Sequence, residues 1–174
     1  MNAIEPAHEI SAAHFRKVMG RFATGVTVVT ARAGGDVRGM TANAFMSGSL
    51  EPPLCIISVT KRAHMHSLLP AAGSFAVNIL TIGQEDYATH FAGRPIPGLE
   101  VPFDDIRGVP TIGDASARIV ADIASTADCG DHTIFIGHIR WMAADARPPL
   151  LYHAGRYAYL VPAHGEDVPH PEFW

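Results

Sequence analysis

Long apolar runs are missing from this 174-residue chain. No stretch of about 18 apolar residues occurs, so no membrane-spanning helix is expected. The first residues carry Glu5, His8 and Glu9 where a secretory leader would need an apolar core, so no signal peptide is read there. Blocks of Lys and Arg are also missing. The net charge is −4 and the pI about 6.2, which leaves no basic face for nucleic acid. Neither nucleic acid nor a membrane is therefore expected as a partner. Cysteine is scarce: Cys55 and Cys129 are the only two, without CxxC or zinc spacing. That usage fits a reducing cytoplasm. No internal repeat or low-complexity tract occurs.

Several catalytic signatures are absent as well. There is no GxGxxG, HExxH or GxSxG, so a Rossmann site, a zinc protease and a nucleophile elbow lack support. Residues 34–41 (GGDVRGMT) come close to a phosphate-binding loop, but Met40 stands where the lysine would be. Without that cation the stretch reads as a hairpin turn. Ten histidines raise the question of a metal. His64 and His66 are one residue apart, and His132, His138 and His153 fall in or beside strands. No carboxylate or thiolate accompanies them at ligand spacing, so no metal site is expected.

What is present suits a core: apolar residues make up 48% and charged residues 17%. The length fits a single domain over 1–174, with short tails at 1–10 and 162–174. Residues 11–22 place Phe15, Val18, Met19 and Phe22 at helical spacing, with Ser11 as N-cap and a break at Gly25. Thr24 is expected to satisfy backbone groups there. Extended, β-branched runs follow at 26–32 and 37–46 around the Gly34-Gly35-Asp36 turn. Further strands are read at 54–60, 74–81, 116–125, 132–142 and 151–160. Short helices are read at 63–71 and 83–92, the latter with acids in its first turn. The Pro- and Gly-rich segment 93–110 reads as a surface loop. Six or seven strands that do not alternate with helices argue against a doubly wound sheet and for an antiparallel barrel with helical caps. Asn78 interrupts an apolar strand and must find a hydrogen-bond partner if buried.

Six segments carry a resemblance, in order along the chain: FATGVTVVT (22–30), GMTANAFMSGSLEPPL (39–54), FAVNIL (75–80), HFAGR (90–94), CGDHTIFIGHI (129–139) and LLYHAGRYAYL (150–160). Together they resemble the flavin reductase-like family, which has the FMN-binding split barrel and includes the reductase components of two-component flavin-dependent monooxygenases. The resemblance implies a mainly β, antiparallel split barrel of Greek-key type. It implies an NAD(P)H:flavin oxidoreductase that uses NADH or NADPH to reduce FMN or FAD. The reduced flavin would pass to a partner monooxygenase. It also implies a homodimer.

By the same resemblance, the small, uncharged residues Thr41, Ala42, Asn43 and Ala44, with Met40 before them, run along the flavin's ring and ribityl chain. Ser47, Ser49 and the stretch Ser58, Val59, Thr60 and Lys61 lie at the ribityl and phosphate. His66 or Ser67 stands near them, and Arg94 is a further flavin contact. His132 of the Gly-Asp-His motif orients the nicotinamide and is the catalytic candidate. Tyr152, His153, Gly155, Arg156 and Tyr157 form the pyridine-nucleotide segment, where a tyrosine would stack and Arg156 would meet a phosphate. The chemistry agrees with such a site. Hydride transfer needs positioning and exclusion of water more than acid–base help. A flavin phosphate asks for hydroxyls, backbone N–H groups and a cation. The competing reading is a barrel that holds flavin as an electron carrier or store without oxidising nicotinamide.

Overall fold

A computed structural model of the chain describes residues 10–161. The tail at 162–174 and all but the last residue of the tail at 1–10 lie outside the described residues. In chain order the elements are α1 (Ala12–Met19), β1 (Thr24–Gly25), β2 (Thr27–Ala33), β3 (Asp36–Ala42), β4 (Phe45–Ser49) and β5 (Leu54–Thr60). Then come α2 (His64–Ala72), β6 (Ser74–Ile79), α3 (Glu85–Phe91), β7 (Phe103–Ile106) and β8 (Val109–Ile112). β9 (Ala117–Cys129), β10 (His132–Ala144), β11 (Leu151–His153) and β12 (Arg156–Ala158) complete the described chain.

Seven strands form one antiparallel sheet in the order β3-β2-β6-β9-β10-β5-β4. The sheet is rolled. Val29 of β2 and Ile57 of β5, four places apart in that order, meet in one buried cluster with Val77, Phe75, Ala121 and Phe135. Met65 and Leu69 of α2 join that cluster. Burying side chains of this size stabilises by about 1.5–3 kcal/mol each. The two outermost strands, β3 and β4, are joined by only Asn43 and Ala44. The roll therefore comes back on itself, yet these two strands are not paired with each other among the described residues. It is split along that seam.

β2 is buried on both faces from Thr27 to Ala31, as expected of a central strand covered on both sides. Val29 and Ala31 face the inner cluster. Val28 packs outward with Leu80, Ala88 of α3, Ile112 of β8 and Leu150. The buried Asn78 has the partners its position requires. Its Nδ2 donates to the Val28 carbonyl (2.8 Å) and to Thr30 Oγ1 (3.0 Å), and its Oδ1 accepts from Ile112 N–H (2.8 Å).

Three sequence expectations are corrected. Residues 93–110 do not form only a surface loop: they run into the β7–β8 hairpin, whose second strand is wholly buried. Arg107 and Gly108 take φ of 54° and 83°, the two-residue turn that matches strand twist. Pro110, which would ordinarily demote a strand, sits in this two-stranded ribbon opposite Asp105. The run 37–46 is not one strand, because the chain leaves β3 after Ala42 and enters β4 at Phe45 on the far edge. The first helix stops at Met19 with Gly20 as its C-cap, and Gly25 belongs to β1. Ser11 does cap α1, accepting from His14 N–H at 3.2 Å. Gly34 and Gly35 form the β2–β3 turn with φ of 58° and 90°, which disposes of the phosphate-loop reading.

Candidate functional site

A pocket of about 320 Å³ opens where β3, the end of α3 and the β11–β12 hairpin meet. Its lining joins Thr41, Ala42 and Asn43 to Thr89, Ala92 and Arg94, and to Tyr152 and Tyr157. Arg94 is the only charged residue of that lining. Local geometry sets the wall. Thr41 Oγ1 donates to the Ala88 carbonyl of α3 at 2.7 Å. Phe91 lies flush on Gly39, so that a Cβ there would stand 2.5 Å from its Cδ1. Tyr152 and Tyr157 face each other across the hairpin with ring centroids 5.9 Å apart at 66°.

A second cavity of about 350 Å³ lies across the seam. It is lined by Phe22, Thr24, Thr27, Phe45 and Ile79, and Asn43 lines both. Thr24 Oγ1 is buried there without a hydrogen-bond partner. The expectation that Thr24 satisfies backbone groups is thus not met.

A third group forms where β5 ends beside the start of β10, two residues on from the Ser58 N–H that donates to the Ala44 carbonyl. His132 opens β10 opposite Thr60 of β5 and Cys129 of β9. Its Nδ1 lies 2.7 Å from Asp131 Oδ1. That hydrogen bond, with the histidine's charge second, holds the Asp131 carboxyl below the usual carboxylate range. Lys61 Nζ donates to the Gly130 carbonyl at 2.7 Å and pairs with Asp128. Its cation is therefore committed to the β9–β10 turn. His66 Nε2 lies 2.9 Å from Thr133 Oγ1, and its ring meets Phe135 edge to face.

Of the residues singled out in the sequence, Thr41, Ala42, Asn43, Arg94, Tyr152 and Tyr157 share one pocket. Thr60, Lys61, His66 and His132 are gathered at the β5–β10 end, and His132 lines neither cavity. Val59 is wholly buried in the core, side chain and backbone alike. Ser67 Oγ donates to the His64 carbonyl inside its own helix. Ser58 N–H donates to the Ala44 carbonyl. Met40 packs on the inner cluster. Ser47 and Ser49 lie on β4, facing Cys55 and Leu54 across a bulge. His153, Gly155 and Arg156 are exposed on the β11–β12 turn and line neither cavity. Thr89 and Ala92 are wall residues that sequence reasoning missed. Their signal is their position immediately before His90 and immediately after Phe91, at the C-terminal end of α3.

The lining suits a flat heteroaromatic ring: small, uncharged side chains on β3, two aromatic rings opposite and one cation. Comparisons agree. The model of the flavin reductase like domain matches residues 19–160. An NADH-dependent FAD reductase from Streptomyces globisporus is 44% identical over 160 residues, covering 84% of this chain and 85% of its own. The reductase component of 4-hydroxyphenylacetate 3-monooxygenase from Thermus thermophilus is 41% identical over 148 residues, covering 84% and 95%. Among solved structures, the Streptomyces globisporus NADH:FAD oxidoreductase SgcE6 in complex with NAD and FAD fragments superposes with a TM-score of 0.84 at 39% identity. It covers 93% of this chain and 100% of its own. The chain belongs to the flavin reductase-like domain family.

Proposed function

We propose that this protein is a flavin reductase that oxidises NADH, or NADPH, and reduces FMN or FAD for a separate flavin-dependent monooxygenase. The observation that carries this reading is the single pocket in which Thr41–Asn43, Arg94, Tyr152 and Tyr157 meet. The names of its relatives support it, since they include NADH-dependent flavin reductases and monooxygenase reductase components. A bound flavin supplies the hydride acceptor. This chain's residues bind and orient. The backbone and short side chains of Thr41, Ala42 and Asn43 lie along the ring edge. Arg94 meets a phosphate, and Tyr152 or Tyr157 stacks on a ring. His132, with its Nδ1 held by Asp131, orients the nicotinamide.

His132 lines neither cavity, so in this reading a second copy brings the remaining groups together. α1 favours a homodimer. None of its residues is buried, and it presents Phe15, Val18 and Met19, with Phe22 just beyond, to the outside. An apolar face of this kind gains about 25 cal/mol per Å² when covered. We place the enzyme in the cytoplasm; no helix among the described residues is long and apolar enough to cross a membrane.

The test is oxidation of NADH or NADPH by the purified protein with FMN, FAD or riboflavin. Flavin-dependent loss of nicotinamide absorbance is expected. Its absence in every combination overturns the proposal. Flavin that copurifies tightly but is not reduced would instead establish an electron carrier or store.

A further inference from the structure

The segment after α3 carries Arg94 on a turn with few means of holding itself. Gly93 bends the chain with φ of 83°. Pro95 has no N–H and steers the residue before it toward extended backbone. The Ala92 N–H goes back to the Ala88 and Thr89 carbonyls. The next N–H beyond Pro95, that of Ile96, donates to Nδ1 of His90 at 3.0 Å. This hydrogen bond closes a loop from residue 90 to residue 96, with Arg94 inside it. The imidazole is itself braced: it meets Phe91 edge to face with ring centroids 4.9 Å apart, and Phe91 lies flush on Gly39. An acceptor at Nδ1, on a half-buried ring, thus ties down the backbone of the loop that carries the one cation in the pocket lining.

We infer that His90 is a positioning residue for Arg94, holding its guanidinium where it recognises the phosphate of a bound nucleotide. The inference rests on the reading of Arg94 as a phosphate contact. The shared chemistry is a phosphate ester, carried by FMN and by the nicotinamide dinucleotide and absent from riboflavin.

Flavin fluorescence titrations of the purified protein with FMN and with riboflavin, together with the NADH KM, separate the cases. A lost charge-assisted contact predicts FMN binding about tenfold or more weaker in R94A, with riboflavin unchanged. H90A should weaken FMN binding severalfold, again sparing riboflavin. H90N, whose amide oxygen replaces the Nδ1 acceptor, should restore it. The H90A/R94A double variant should be no worse than R94A, because the two residues act as one unit. If R94A raises the NADH KM and spares FMN, the phosphate is the dinucleotide's and the same coupling must appear in that KM. If R94A moves neither ligand, the reading of Arg94 fails. If R94A acts but H90A does not, or their effects add, or H90N fails to rescue, the positioning role fails while Arg94's stands. Equal losses for FMN and riboflavin in H90A reduce His90 to a structural role and overturn the inference.

Discussion

Phe91 of α3 packs directly on the backbone of Gly39 in β3, two residues before Thr41, whose hydroxyl donates to the Ala88 carbonyl of the same helix. One face contact and one hydrogen bond thus hold helix to strand. Between them they set the width of the pocket that Thr41, Thr89, Ala92 and Arg94 share.

A methyl group at position 39 has no room beside that ring. G39A is expected to destabilise the fold by about 1–3 kcal/mol, the usual cost of overpacking. It should also weaken FMN binding, because α3 must move away from β3. Chemical denaturation and a flavin titration read the two effects. Unchanged stability and affinity would show that the helix yields without cost.

His132 should matter more to hydride transfer than to flavin binding. In H132A we expect the rate of flavin reduction, followed by stopped-flow absorbance, to fall roughly tenfold or more through lost orientation. The flavin dissociation constant should change by less than about twofold on the same argument. Parallel loss of both, or of neither, refutes the assignment.

Asn78 ties β6 to β2 and β8 through three buried hydrogen bonds. N78A leaves the Ile112 N–H and the Val28 carbonyl each short of its side-chain partner. We expect a loss of at least about 2 kcal/mol, measured by urea denaturation.

The two thiols should differ in reactivity. Burial pushes Cys55 up to about 11 from 9.0, whereas Cys129 is exposed on β9. A thiol reagent at pH 8 should modify one cysteine in the native protein and the second only on unfolding. The sign of the pH effect follows. The neutral Cys55 thiol is favoured by the fold, so its contribution is complete below 9.0 and is lost as pH rises through about 11. Rapid modification of both thiols in the folded state would contradict the burial of Cys55.

Much of the scaffold was legible. The short apolar run of 54–60 after the Pro52-Pro53 break and the apolar run of 74–81 became β5 and β6 with boundaries shifted by no more than two residues. The buried partners of Asn78 follow from one polar residue in an apolar strand. The β7–β8 hairpin was not legible, because Pro110 and the surrounding prolines and glycines mimic a loop while burial against β2 and β6 overrides them. Within the site, Thr41–Asn43, Arg94 and the tyrosines come from distant stretches of sequence and line one pocket. Lys61 reads as a free cation in sequence. Its commitment to Gly130 and Asp128 depends on β5 pairing with β10, a contact across some 70 residues that no local pattern encodes.

The link of Asn43 and Ala44 between the outermost strands has one more implication. Because Asn43 faces both cavities, any replacement there reshapes two chambers in a single step. Ligand preference on one side of the seam is therefore inherited together with fit on the other. Variation that alters one chamber alone must come from walls that are not shared, Thr89 and Tyr157 on one flank or Phe45 and Ile79 on the opposite one.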